Sequence, residues 1–236
     1  MKHMAKCLAV VAAVFAMSSA AMAEEEEGAV GWTPVAIGLA SPVQLPWGMA
    51  RWDVFGVDLG LLYTDAPKMY GLDLALGGCT TRDDAGGLIV GGLFNYSSED
   101  KDVYGLRATL GANISRGTVY GVEAGTFAYR HDIWGLDFEL AGNFQDNVTG
   151  GQFSGLANIT TEQSYGLTFA FGGNIATKKA YGCQAAVVFN MAEELHGAQI
   201  AFVNYARECP WGFQIGLINI IMDNKIKVLP IVNGYF

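Results

Sequence analysis

Histidine is nearly missing from this chain of 236 residues, with 3 copies, and cysteine is scarce, with 4. None of these residues lies at a metal-ligand spacing, which excludes a zinc-stapled or disulfide-framed domain. Cations are also few: Lys and Arg total 14 against 23 Asp and Glu, a net charge of −9, and such a surface repels nucleic-acid phosphates. No apolar run approaches the ~20 residues of a membrane-spanning helix. Catalytic signatures are missing too. There is no phosphate loop or dinucleotide fingerprint, and Gly151-Gln152-Phe153-Ser154-Gly155 lacks the spacing of a nucleophile elbow. His131 and His196 stand at turn or strand-start positions without a triad or ligand partner. The acidic turn Ser97-Ser98-Glu99-Asp100-Lys101-Asp102 lacks the glycine and terminal glutamate of a calcium loop. No cofactor, metal or enzymatic activity is expected.

Glycine is what the chain has in excess, at 31 residues, nearly twice the usual ~7%, which disfavours helix throughout. Much of it belongs to a repeat that recurs at steps of 14 to 18 residues, clearest as YGLDLALGG from Tyr70, YGLRATLGAN from Tyr104, WGLDFELAGN from Trp134, YGLTFAFGGN from Tyr165, YGCQAAVVFN from Tyr181 and WGFQIGLIN from Trp211. Counting the leading aromatic as position zero, positions 2, 4 and 6 are aliphatic or aromatic, as in Leu72, Leu74 and Leu76 or Leu136, Phe138 and Leu140. The odd positions hold Asp58, Asp73, Arg107, Glu123, Asp137, Glu139, Gln184, Gln199 and Gln214, or small residues. Alternation of this kind puts one greasy and one polar face on a strand. The copy from Gly150 has its polar residue, Gln152, one place early, which predicts a bulge or slipped register. Asn closes most copies, and polar segments such as TTRDDA, SSEDKD and ATKK separate them as turns.

A repeat of this size is one supersecondary unit that buries its face only against its neighbours. A copy of 15 or 16 residues suits a strand of ~9–11 residues plus a short turn, and a difference between even and odd copies reads as a hairpin period. The expected fold is therefore all-β: an up-and-down antiparallel β-barrel of about 12 strands over residues 51–236. In that fold the polar set above faces a lumen, the aliphatic face meets outer-membrane lipid, and Tyr70, Tyr104, Tyr120, Trp134, Tyr165, Tyr181 and Trp211 form two interfacial girdles. Alternate turns then fall on opposite rims of different charge, and the acidic lumen favours cations. Phe236 as an aromatic last residue fits recognition by the barrel-assembly machinery. The alternative is a β-solenoid, in which the closing asparagines would stack as a ladder of bonded amides.

Residues 1–23 read as a removable signal peptide, with Lys2 and Lys6 before the apolar stretch Cys7–Met17 and Ala21-Met22-Ala23 as the cleavage site. Residues 24–50 are acidic and then proline-containing, able to add a strand or a plug. Cys183 stands where other copies have Leu, so it reads as a small hydrophobe. The segment HGAQIAFVNYARECPWGFQIGLINI with LPIVNGYF, and PVQLPW with WDVFGVDLGLLY behind it, resemble bacterial exported surface-repeat proteins built from tandem Gly-Leu-Gln-Ile-Gly-Leu-hydrophobic-Asn units. The resemblance implies an exported surface protein and carries over no activity. The functional expectation is a non-enzymatic outer-membrane barrel, a weakly cation-selective pore or a structural one. Its alternative is a secreted solenoid or open sheet serving as a surface module for protein or glycan.

Overall fold

The computed structural model describes residues 29–40, 43–45, 51–98 and 100–235, and in them the chain winds as an all-β solenoid of about 10 turns. The signal-peptide assignment and Phe236 lie outside the described residues. Consecutive copies of the repeat lie parallel and in step: Tyr104, Gly105 and Arg107 are beside Tyr120, Gly121 and Glu123, and Tyr165, Gly166 and Thr168 are beside Tyr181, Gly182 and Gln184. This overturns the antiparallel barrel. An up-and-down sheet would set position zero of one copy against the far end of the next, whereas here identical positions stack.

The reason is that one copy is a whole coil rather than one strand. Met69–Ala75, with 7 residues, is followed across a short turn by Gly78–Thr81, with 4, before the chain re-enters the next coil at Ala85–Gly91. Both strands stack in parallel on their counterparts, Met69–Ala75 on Trp52–Gly60 and Gly78–Thr81 on Tyr63–Ala66. The even–odd contrast is a variation between neighbours of the same orientation. The stack also takes in Gly31–Ala40, parallel to Trp52–Gly60. Antiparallel strands close it at both ends, Val43–Leu45 on Gly31–Ala40 and Val228–Gly234 on Val203–Ile221. Such caps occupy the rung amides that would otherwise template another chain.

Glycine at position 1 lets the backbone bend within the coil. Eleven of these glycines, from Gly56 to Gly212, have φ between +109° and +150°. A Cβ built on Gly166 would lie 2.0 Å from the carbonyl oxygen of Gly150 in the coil beneath, so both torsion and spacing demand glycine. The column also corrects the expected slip at Gln152. Gly150 stacks on Gly166 and Gln152 on Thr168, so that copy begins at Thr149, and the irregularity sits between Gln145 and Asn147.

A direct check follows from this column. Gly166→Ala should lower stability by more than the ~1–2 kcal/mol of a left-handed non-glycine residue, because the methyl also meets backbone. Gly86→Ala should be far milder, since its φ is not positive and its Cβ meets the edge of the Tyr70 ring at 3.0 Å and the Tyr104 carbonyl oxygen only at van der Waals distance, 3.4 Å. Thermal melts of the two variants would show a clear drop in Tm for the first alone. Equal melts would mean the glycine column does not constrain the coil.

Candidate functional site: a polar interior beneath an apolar exterior

The residues expected to line a lumen, Asp58, Asp73, Arg107, Glu123, Asp137, Glu139, Gln184, Gln199 and Gln214, are all buried. A solenoid coil has no lumen, and these side chains stack along the axis in contact with one another. In the C-terminal half the column is an amide ladder. Gln214 Nε2 donates to Gln199 Oε1 at 2.8 Å, and Gln199 Nε2 to Gln184 Oε1 at 2.8 Å.

A second ladder runs through the closing asparagines of the short strands. From Asn143 through Asn158, Asn174, Asn190 and Asn204 to Asn219, each Nδ2 donates to the next Oδ1 at 2.8 to 3.0 Å. The other amide proton crosses the interior to a long-strand carbonyl, Asn158 to Phe169 at 2.9 Å and Asn174 to Ala185 at 2.8 Å. Both donors and the oxygen are thereby used, which is what makes a buried amide tolerable.

The asparagine column has a gap at Ala128, which stacks on Asn113, and ionised groups splice it. Arg130 pairs with Glu123 and Asp137 and donates through Nη2 to Asn143 Oδ1 at 2.9 Å. On the other side Asn113 Nδ2 donates to Glu139 Oε1 at 3.3 Å, and Arg107 Nη2 to Glu123 Oε1 at 2.8 Å. Two guanidiniums here face three carboxyl groups, so neutrality needs one carboxyl to keep its proton. Glu139 holds its proton to the highest pH: burial, then the charges of Asp137 and Glu123, push it to about 8, while burial, opposed by Arg130, pushes Asp137 to about 7. Burial also opposes the charge on Glu123, yet Arg107 and Arg130 hold it below the usual carboxylate range. In the sequence Arg130 belongs to the polar segment Arg130-His131-Asp132 between two copies, which reads as a solvated turn. The missing Asn at position 128 was the signal that something else had to fill that rung.

A second carboxyl site lies toward the N-terminal end, where Asp58 stacks on Asp73. Thr64 and Cys79 replace Asn in the neighbouring column, one beside the other, with Asn95 next in line. Burial, with Asp65 adding to it, pushes Asp58 up to about 6; burial and the Asp58 charge push Asp73 to about 7.

The exterior is the reverse of a soluble protein's. Leu106, Leu136, Phe138, Leu167 and Phe213 of the long strands are exposed, and the turn into the short strand presents Leu110 at 83% and Leu140 at 76% exposure, with Leu61, Leu76, Leu156, Phe171 and Leu217 in line. The aromatics form one outward column rather than two girdles, because every coil runs the same way. Ring pairs stack at 5.1 Å for Tyr104–Tyr120, 4.4 Å for Tyr165–Tyr181 and 4.5 Å for Tyr181–His196, and Tyr120 tilts toward Trp134 at 6.4 Å. Tyr70 stacks on Phe55, and Trp211 meets His196 edge-on. All inter-copy turns likewise share one edge, so the two rims of different charge do not exist. Along that edge ion pairs link neighbouring coils: Lys101 with Asp83 at 3.1 Å, Lys179 with Glu194 at 3.0 Å, and Arg207 with Glu193.

Among the described residues no three metal-ligating side chains converge, and no helix is long and apolar enough to cross a membrane. A hollow of about 100 Å³ beside Arg116, Tyr129 and His131 is smaller than the ~300–1,000 Å³ of ligand pockets. Cys79, Cys183 and Cys209 are unpaired, and burial raises all three thiols, Cys209 to about 11. The fold and surface define a β-solenoid with an amide-laddered core and an apolar exterior. Comparisons with family models, curated proteins and solved structures find no match.

The interior carboxyls set a pH dependence. Asp58, Asp73 and Glu139 keep protons in the fold that the unfolded chain releases near pH 4. The folded state therefore binds more protons through that interval, and stability falls as pH rises toward about 8. Glu123, shifted the other way, contributes stability that is lost as pH falls below the ordinary range. Melting temperature should peak near pH 5 and decline toward pH 8, and Asp73→Asn should flatten the decline. A curve rising from pH 5 to 8 would contradict the assignment.

Proposed function

We propose that the protein is an exported surface protein whose solenoid is a non-enzymatic interaction module, with the apolar outer columns as its binding surface. One observation carries this reading: most of the large aliphatic side chains of the repeat face outward, while the carboxyls, guanidiniums and amides at its odd positions are buried. Contiguous exposed apolar patches far above a few hundred Å² mark interaction surfaces in folded proteins. The laddered core supplies a rigid platform, and the side-chain amides of its C-terminal coils are bonded to one another. The likeness of the repeat to exported surface-repeat proteins supports the same reading. A glycan partner is disfavoured by the aromatic column, because rings stacked on one another at 4.4 to 5.1 Å have their faces occupied.

Polar substitutions at Leu110 and Leu140 test this with little risk to the fold, since both side chains are largely exposed already. The wild type should bind phenyl resin and an apolar-surface dye strongly, and Leu110→Asp/Leu140→Asp should lose at least half of both signals with its β circular dichroism intact. A wild type that binds neither would end the proposal.

A further inference from the structure

Around each coil the outward side chains change character in a fixed order. Next to the charged turn comes the aromatic of position zero, with Tyr104 OH still donating to Asp102 at 3.2 Å. The aliphatic positions 2 and 4 follow, then the leucine-rich turn. On the short strand the outward residue after the asparagine slot is a tyrosine in three coils, Tyr96, Tyr129 and Tyr205, and aliphatic in others, as at Ile114, Ile159 and Ile175, and the charged turn comes next. Along the long strand, charged, aromatic and aliphatic side chains thus follow one another in that order toward one apolar edge. Lipid interfaces select this order, with aromatic rings at the headgroup level and aliphatic side chains beyond.

We infer that this edge inserts into one leaflet of a lipid bilayer, with the aromatic column of the long strands at the headgroups and the charged turns in water. The inference rests on the reading of the apolar columns as the binding surface and names their partner. Dimensions agree. From position zero to the apolar turn is six residues, roughly 20 Å at ~3.3 Å per residue, against ~15 Å for half of a ~30 Å hydrocarbon core. The edge therefore reaches through one leaflet and does not span both.

Backbone chemistry at the edge agrees as well. A turn placed in hydrocarbon must have its amides satisfied internally. Here Gly77 N donates to Leu62 O at 2.8 Å, Leu156 N to Ala141 O at 2.8 Å and Gly172 N to Leu156 O at 2.9 Å, each from one coil to the coil before it. A second copy of the chain fits less well. The apolar columns lie on both sides of the turn, so a flat two-fold interface would cover one side and leave the other in water, whereas a leaflet encloses both. With a net charge of −9, attraction comes from apolar burial rather than from anionic headgroups, unlike a polybasic membrane anchor.

Flotation of the full chain with phosphatidylcholine vesicles is the test. The wild type should float, added salt should not release it, phosphatidylglycerol vesicles should bind no better, and Trp134 and Trp211 emission should shift to the blue. Leu110→Asp/Leu140→Asp should reduce flotation at least tenfold, and Lys178→Gln in the charged turn should not. Binding to anionic vesicles alone would overturn the inserted-edge geometry. A wild type that ignores vesicles but forms a discrete dimer broken by the double substitution would overturn the lipid partner and leave the interaction module standing. If it neither floats nor associates, and the substitutions change nothing, both readings fall.

Discussion

Everything in this molecule follows from the need to satisfy buried amides inside a thin coil. A hydrogen bond between two side-chain amides adds only ~0.5–1.5 kcal/mol, but leaving one unmade in a buried site costs ~1–3 kcal/mol. Stacking identical residues a strand spacing apart resolves that cost, because the Nδ2 of one asparagine reaches the Oδ1 of the next while its second proton crosses to the opposite strand. The arrangement works in a single register. A one-residue slip would turn the whole asparagine column outward, so the ladder specifies the parallel, in-step pairing that the glycine column then permits by allowing close approach of backbones.

A polar interior also determines what the exterior must be. Position 5, which faces inward, is small in most coils, as at Ala75, Gly91, Ala170 and Ala201, with Glu139 as the charged exception, and no large aliphatic side chain stands beside the amides there. Apolar packing inside lies mostly in a strip next to the charged turns, Val54, Met69, Val103, Val119, Ile133 and Val148 in one cluster and Leu195 with Ile221 in another, with Ile89 joining the first from the inward column. Most of the remaining Leu, Ile and Phe face outward, where they pack only against the neighbouring coils and leave much of their surface in water. Burial at ~25 cal/mol per Å² then becomes available only on contact with a partner, so stability and association are linked through the same side chains.

The alternation, the sorting of polar from apolar faces and the asparagine column were all legible in the sequence. The direction of pairing was not, because period-two alternation is the same in a barrel strand and in a solenoid coil. The length of the copy misled, since residues 78–81 read as a strand end and turn when they are a second, short strand. The polar residues were placed correctly on one face, but a barrel and a solenoid give that face opposite surroundings. Arg130 escaped because it follows the Asn slot among turn-forming residues, and only the stacked register shows Ala128 leaving room for it. The offset at Gln152 is an effect of counting the copy from Gly150; with Thr149 at position zero, as the stacking on Tyr165 requires, Gln152 falls at position 3.

The two halves of the array also differ in kind. From Gln152 onward the inward column at position 3 is Gln, Thr, Gln, Gln, Gln, uncharged and nearly uniform. Before it the column runs Asp58, Asp73, Ile89, Arg107, Glu123 and then Asp137. In a stack where each coil touches only its neighbours, stability is close to a sum of coil terms and nearest-neighbour terms. The C-terminal half repeats one favourable interface, whereas the N-terminal half holds buried charges that must be matched rung by rung, and removing one partner of such a set costs more than the set contributes. Titration and substitution therefore act on the N-terminal coils first, with the C-terminal amide ladder as the part of the solenoid that persists.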